Sequence, residues 1–500
     1  MRVAAWALPL PRVGPGRPRR CNPIMHAKVI SRTGCRSYSI HIYNVANFHC
    51  VFNTGLGASI MWQNLWRRMA HAACLCTVAL CGAAVSPPSA CASGFQLREG
   101  SADWMANAFA GTTAKAYDAS TVWSNPAGMV RLDHNEFDAS INGVFPNVSF
   151  SGSNFVGPGL TTPGTTGGNL LQAAATAGIF GVWSLTPDFK LGIGATAPFG
   201  QRVSNPANFV GRYQSLVSSI SDEAFTLSAA YRINEHFSIG GGPVINVLQA
   251  RLTQAVNIGR ISVLTGDPVV DLHGSDVSAG YNFGVLYQVN DGLRFGLDYR
   301  SRIRHNIAGT QSVFVPPALA AIAPLAAAQL GLLNSPARTS ITLPDSVTIG
   351  AYWQVTQQLA LLTELSWTDW SLLKTINVTP ANPGVPGSSL PENWRNTYTA
   401  SIGANYNVTR ELMLQAGFAF DESPVTDQNR TSRIPDSNRY ILGVGAQYDI
   451  LPNLTLQVAY AHVFVASAPV TTQATSTSGV LIGQYSNAAE TASLGVKYRF

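Results

Sequence analysis

The sequence predicts an all-β transmembrane barrel of 14 antiparallel strands with a small N-terminal hatch or plug. Three observations carry this. Stretches of apolar–polar alternation recur from residue 136 to the final residue, the period of a strand with two unlike faces. The connections between those stretches alternate short and long. The segment ahead of the first stretch, residues 93–134, does not alternate well.

Residues 1–92 stand apart from this pattern. They hold ten of the 32 lysines and arginines and no acid, leaving 22 basic against 26 acidic residues in 93–500, a net charge of −4. The basic balance of the whole chain therefore comes from its front end and gives no indication of a nucleic-acid partner. All seven cysteines also precede residue 92, so 93–500 offers neither a disulfide framework nor a thiolate metal site. Residues 61–92 have the order of a signal peptide: Arg67 and Arg68, an apolar run from Ala70 to Val85, then Ala90-Cys91-Ala92 before Ser93. The apolar run is short for a membrane anchor and Pro87-Pro88 follows it. Residues 1–60 are expected to be a non-native extension upstream of the true start, Met61 or Met69.

The clearest alternating stretches are EFDASINGVF (136–145), DEAFTLSAAYRI (222–233), GLRFGLDYRSRIRH (292–305), SVTIGAYWQV (346–355), TYTASIGANYNV (397–408), ELMLQAGFAFD (411–421), RYILGVGAQYDI (439–450) and LTLQVAYAHVFV (454–465). Weaker alternation fills 175–185, 188–198, 236–250, 275–289 and 358–372. TASLGVKYRF (491–500) completes fourteen. Its lipid face ends on Phe500, and this strand is expected to close the barrel and to be read by assembly machinery.

Six connections are tight, near Pro187, Glu235, Asp291, Gln357, Arg410 and Pro452. Long ones lie between them, near 146–174, 199–221, 251–274, 306–341, 373–396, 422–438 and 466–487. Short turns at one end and long loops at the other are the rhythm of a bacterial outer-membrane barrel, and closure removes the open edge that hydrocarbon forbids. Tyr299, Trp367, Trp370, Tyr406, Tyr448 and Tyr498 are candidates for the aromatic belts at the membrane faces; ordinary strand propensity accounts for them equally well.

In 93–134, Ser101 to Ala116 reads as one or two short helices, and Ser124-Asn125-Pro126-Ala127-Gly128 breaks regular structure because proline lacks a donor and restricts the residue before it. A barrel of this size has room for such a segment; a periplasmic tail is the other reading. The chain carries, in order, Ser93-Gly94-Phe95-Gln96-Leu97, Asn125-Pro126-Ala127, Ala197-Pro198-Phe199-Gly200, Gly211-Arg212-Tyr213, Gly284-Val285-Leu286, Tyr299-Arg300-Ser301, Leu343-Pro344-Asp345-Ser346 and Ile434-Pro435-Asp436-Ser437-Asn438-Arg439-Tyr440. In this ordered series it resembles the OMPP1/FadL/TodX family of outer-membrane transporters. The resemblance implies a 14-stranded barrel (135–500), an N-terminal hatch (93–134) in which Asn125, Pro126, Ala127 and Phe95 have hatch or gating roles, and passive uptake of long-chain fatty acids or aromatic hydrocarbons with sideways release. For Asn125-Pro126-Ala127 a plain linker turn is the competing reading.

No Gly-x-Ser-x-Gly elbow, His-Glu-x-x-His site or phosphate loop is present, so no enzyme and no cofactor or metal is expected. The alternative to a transporter is a general porin or a structural outer-membrane protein; a plugged lumen opposes the porin. The expected partners are hydrophobic small molecules and outer-membrane lipid. Two further groups are candidates. In the loop 306–341, Leu319, Ile322, Leu325, Leu330, Leu332 and Leu333 form an almost uncharged surface, suited either to capturing a ligand or to capping the barrel. On GLRFGLDYRSRIRH, alternation places Arg300, Arg302 and Arg304 in the upper lumen, where they either receive a carboxylate head group or are neutralised by Asp298 and Glu364.

Overall fold

The computed structural model describes residues 94–500 except 260, 323–328, 330 and 474–477. The expected signal peptide and upstream extension lie outside the described residues.

Fourteen strands close the wall: β1 (Glu136–Gly157), β2 (Ala174–Ser184), β3 (Phe189–Ser204), β4 (Val217–Arg232), β5 (Phe237–Ala255), β6 (Val269–Asn290), β7 (Leu293–Arg300, continued by Ile303–Phe314), β8 (Ser335–Leu343, continued by Ser346–Gln354), β9 (Leu359–Thr368), β10 (Thr397–Asn407), β11 (Leu412–Asp421), β12 (Arg439–Leu451), β13 (Leu454–Val465) and β14 (Val480–Arg499). Each pairs antiparallel with its neighbours in the chain. Closure is made by β1 on β14, from Glu136↔Arg499 to Phe155↔Val480. Among the described residues no helix is long and apolar enough to cross a membrane.

The outer face carries Ile141, Leu227, Ile245, Ile349, Ile402 and Leu494, all exposed, where hydrocarbon takes the place of a protein core. Near the long-loop end the ladder lines up Phe283, Tyr299, Val347, Trp367 and Tyr398 in one row across β6 to β10. Tyr440 and Phe464 pair across β12 and β13 towards the same end. Tyr287, Trp353, Tyr406, Tyr448 and Tyr498 lie near the short turns. Two aromatic belts result, as expected, with one correction. Trp370 is fully buried, because the chain turns inward after β9 through a 3-10 turn, Trp370–Leu372.

Much of what the sequence suggested as long loop is strand. β1 and β6 run 22 residues each and β14 runs 20, far more than a membrane of this kind requires. The reason is visible on β1. Beyond Phe145 the outward residues are Asn147, Ser149 and Ser151, while Val148 and Phe150 are buried inside. Alternation persists, but its sense inverts where the outside becomes water.

Residues 94–132 lie within the lumen. They form α1 (Ala102–Ala106), α2 (Thr112–Lys115), α3 (Thr121–Ser124) and a 3-10 turn, Pro126–Arg131. Ser101 caps α1 by accepting from Asp103 N. Met105, Ala106, Ala108, Ala119, Val122 and Met129 are completely buried. Ala108, Phe109 and Ala116 adopt left-handed backbone (φ 45°, 67° and 42°), a strain that persists only where surrounding contacts fix it. Such contacts are dense: Lys115 pairs with Asp103 at 2.7 Å, both side chains 2% exposed, and Gln415 and Gln447 donate to the same carboxylate at 2.9 and 2.8 Å.

Candidate ligand pathway

The chemistry of the lumen turns on one break in β7. Arg294 and Asp298 point inward, and then so do Ser301, Ile303, His305 and Ile307, all 8% exposed or less. The inward parity changes from even to odd at Arg300-Ser301. The cause is one extra residue. β6 pairs Asn282 with Arg300 and Ser275 with Ala308, so six residues of β6 face seven of β7, which is the definition of a bulge. β8 breaks directly opposite, at Pro344-Asp345, and resumes in register. Proline there has no donor to lose. The Asp345 carboxylate takes the place of a ladder partner, accepting from Arg302 N at 3.1 Å and from its guanidinium at 2.8 and 2.7 Å.

This overturns part of the expected arginine row. Arg302, its side chain 54% exposed, is held on the outer face by Asp345, and Arg304 is exposed on that face too. Only Arg300 of the three reaches the lumen. Its guanidinium lies 3.7 Å over the Trp123 ring and donates to Trp123 O at 2.6 Å and to Asp298 at 3.3 Å. Its Nη1 has no hydrogen-bond partner. Glu364 is engaged elsewhere, accepting from Thr112 Oγ1 at 2.7 Å and Thr113 N at 3.0 Å.

Two cavities follow from the inversion. One, of about 120 Å³, is lined by Arg98, Trp104, Trp123, Thr196, Asp298 and Arg300. The other lies above it and is almost wholly apolar. It holds about 100 Å³ between Phe95, Ile220, Ile307, Ile341, Ile376 and Ile434. Phe95 also sits in a cluster with Phe199, Trp370 and Trp394, at ring separations of 5.8, 4.9 and 5.5 Å. Gly94 N donates to Asp436 at 2.8 Å, tying this end of the luminal segment to the outer loops.

Beside these cavities the wall has a window. β2 and β3 pair only from Ile179↔Ala195 to Ser184↔Lys190, and meet again at the bridge Leu171↔Val203. The luminal segment fills the interval. Gln96 bridges Phe199, Leu97 N donates to Pro198 O at 2.7 Å, and Gly200 N donates to Phe95 O at 2.8 Å. Thr176 and Asn142 reach Glu99 O at 2.9 and 2.7 Å.

Asn125-Pro126-Ala127 sits deeper, against β5 to β7. Asn125 Nδ2 donates to Thr113 O at 2.7 Å and to Val285 O of β6 at 3.0 Å, while its Oδ1 accepts from Ala127 N at 3.1 Å. Ser238 of β5 donates to Ala127 O at 3.0 Å. The wall makes room with glycine: a Cβ on Gly284 would lie 2.0 Å from Asn125 Oδ1, and one on Gly296 1.9 Å from Thr113 O. The turn is thus bonded to both the barrel and the luminal segment.

The expected capture loop divides. Residues 306–314 and 335–341 belong to β7 and β8, leaving the connection 315–334, which holds a helix, Pro317–Ile322. Leu319 and Leu332 are buried and Leu333 is half-buried, which fits capping. Leu325, Leu330 and the Ile322 side chain lie outside the described residues. Exposed apolar side chains that the sequence had not singled out are Leu264 at 82%, Phe314 at 63% and Ile261 at 45%. Ile261 and Leu264 belong to a single helical turn, too short to show a periodicity.

A closed antiparallel wall with an apolar outer belt, a filled lumen and cavities beside an interrupted ladder define an outer-membrane barrel of the transport class. The sequence profile of the outer membrane protein transport proteins (OMPP1/FadL/TodX) matches residues 83–500, and the chain belongs to that family. It is similar to the long-chain fatty acid transport protein of Salmonella typhi, 26% identical over 77% of this chain and 91% of that one. Its fold is that of a crystallised Pseudomonas aeruginosa FadL homologue, with a TM-score of 0.75 at 23% identity over 81% of this chain and all of the other. The Ralstonia pickettii toluene transporter TbuX gives 0.58 at 17% identity, over 80% and 99%. The chain is therefore a transport protein of the bacterial outer membrane and not an enzyme.

Proposed function

We propose that this protein carries hydrophobic molecules inward across the outer membrane by diffusion through the upper lumen and sideways release between β2 and β3. The single observation that carries this is the window in the β2–β3 ladder, filled by residues 95–100 rather than by strand pairing. A plug segment standing in for a wall can leave without unzipping the barrel. The 120 Å³ cavity is lined by Thr196, Pro198 and Phe199 of this window, so a ligand there is already beside the way out.

The relatives named for long-chain fatty acids and for toluene leave two ligand chemistries. The unpartnered Nη1 of Arg300 favours an amphiphile with a carboxylate head: head at Arg300, tail along Ile307, Ile341 and Phe95 in the apolar chamber. The other Arg300 contacts belong to Asp298 and Trp123, so head-group binding and partial neutralisation coexist at one side chain. Ile261, Leu264 and Phe314 supply an apolar surface for first contact outside, and Asn125-Pro126-Ala127 sets the seat from which the plug moves.

The test is a lock. Residues 93–500 contain no cysteine, so Gln96→Cys with Phe199→Cys introduces one pair at the bridged position. Cells expressing it are assayed for oleate uptake after oxidation and again after reduction, with surface expression measured in parallel. Uptake is expected to stop on oxidation and return on reduction; equal uptake in both states would rule out release at this window.

A further inference from the structure

A second interruption lies four strands further round the wall, between β6 and β7. The ladder there stops at Asn282↔Arg300 and resumes at Ser275↔Ala308. In place of strand pairing, side chains span the interval. Ser278 Oγ donates to Arg304 O at 3.0 Å, Tyr281 N donates to Ser301 Oγ at 2.9 Å, and the Asp276 carboxylate meets His305 Nδ1 at 3.0 Å. One backbone bond remains inside it, Ser301 N to Tyr281 O at 2.9 Å. The seam stands just above the aromatic row of Phe283 and Tyr299. Its outward face carries exposed apolar side chains on β6, Val277 at 65% and Tyr281 at 54%, beside the exposed Arg302 and Arg304 on β7. Ser301 and Ile303 on the luminal side, together with Tyr281 in the wall, line the same cavity as Arg300. His305 Nε2 is buried without a hydrogen-bond partner.

An ordinary bulge disturbs one or two ladder positions; this interval covers six residues of one strand. Strand pairing opens cooperatively, whereas isolated side-chain bonds exchange one at a time. Segments held in that way are the ones that open locally.

We propose that the β6–β7 seam is a second lateral passage, through which apolar molecules with a polar head, held at the membrane surface above the aromatic row, enter the luminal cavity directly. The passage rests on the uptake function above but is separate from the β2–β3 window: the seam admits, and the window releases. A molecule arriving through it slides along Val277 and Tyr281 and reaches Ile303 and Arg300 without crossing the outer loops.

A Cβ on Gly280 would stand 2.7 Å from Ile303 Cγ1, so Gly280→Cys with Ile303→Cys places two sulfurs where a bond across the seam can form. Oleate uptake by cells expressing this pair is expected to fall about threefold or more on oxidation and to recover on reduction. If uptake is the same in both states while the Gln96–Phe199 lock still stops it, the seam is no passage and the window stands. If neither lock changes uptake, sideways movement is rejected altogether. Should the disulfide not form, Ser278→Ala with Ser301→Ala decides the matter. Loosening the seam is expected to raise uptake about twofold with the barrel still heat-modifiable in detergent, and unchanged uptake overturns the proposal.

Discussion

The lower and upper halves of the lumen are built by the same strands and have opposite chemistry. Below Ser301 the space is filled: Asp103, Asp118, Asp138, Lys115 and Lys497 are buried with Gln415, Gln447 and Gln457 around them. Above it Ile303, Ile307, Ile341 and Leu343 face inward, and space remains between them. On β7 and β8 the difference comes from one extra residue in β7, matched by Pro344-Asp345 in β8. An apolar molecule that comes down the upper half meets buried charge and a filled lumen. Moving sideways costs less than burying an apolar surface among charges, and the window at β2–β3 is level with that boundary.

The strongest way to break this contrast is to make the upper half resemble the lower. Ile307→Asp places an unpaired carboxylate in the apolar chamber, and oleate uptake is expected to fall about tenfold or more. Heat-modifiable mobility in detergent checks that the barrel still forms. Release of the parity lock comes next. Asp345→Ala frees Arg302 and the break in β8, and uptake is expected to drop several-fold. The stability cost of the ion pair itself is about 1 kcal/mol or less, since the Arg302 side chain is half exposed.

At the lower boundary, Asn125→Ala with Pro126→Ala removes the bonds to Thr113 O and Val285 O, worth roughly 1–3 kcal/mol of seating. Uptake is expected to fall while surface expression stays normal. Normal uptake at normal expression would reject a gating role, and loss of folded protein would reject a purely gating one. Arg300→Gln sharpens the ligand question: uptake of oleate at low concentration should weaken about three- to tenfold while toluene is unaffected. Equal loss of both would remove the head-group role.

The smallest effect is outside the membrane. Glu392, 3% exposed, is pushed up to about 7 by burial, with Arg433 pulling it down; burial lowers Arg433 to about 10. Because the folded loops raise this carboxyl above its usual value, the folded state binds a proton that the unfolded state has released. The stability linked to Glu392 is therefore full at acid pH and is lost as pH rises from about 4.5 through about 7. Hydrogen-exchange protection in residues 370–394, taken relative to the intrinsic exchange rate at each pH, should be lower at pH 8 than at pH 5, and Glu392→Gln should flatten the difference.

Strand number and order were legible because lipid-facing alternation is a property of single residues, and all fourteen stretches fall on strands. The break in β7 was not legible. GLRFGLDYRSRIRH alternates without a fault through Arg304, and only the pairing with β6 shows that Ser301 is the extra residue. Arg302 and Arg304 were misplaced for that reason alone. The strand extensions of β1 and β14 were hidden by the reversed sense of alternation beyond Phe145. Trp370 read as a belt residue because its spacing from Trp367 carries no sign of the inward turn. The window and the seam are absences of pairing, and a sequence has no mark for them.

The central claim is that ligand occupies the upper lumen and leaves without entering the lower one. Photo-crosslinking in outer membranes with a diazirine-bearing fatty acid, followed by mapping of the labelled peptides, tests this directly. Adducts are expected on Phe95, Ile307, Ile341 and the Thr196–Phe199 stretch of β3. Labelling concentrated around Asp138, Gln447 and Lys497 would contradict the account, since it would place the route straight through the filled half.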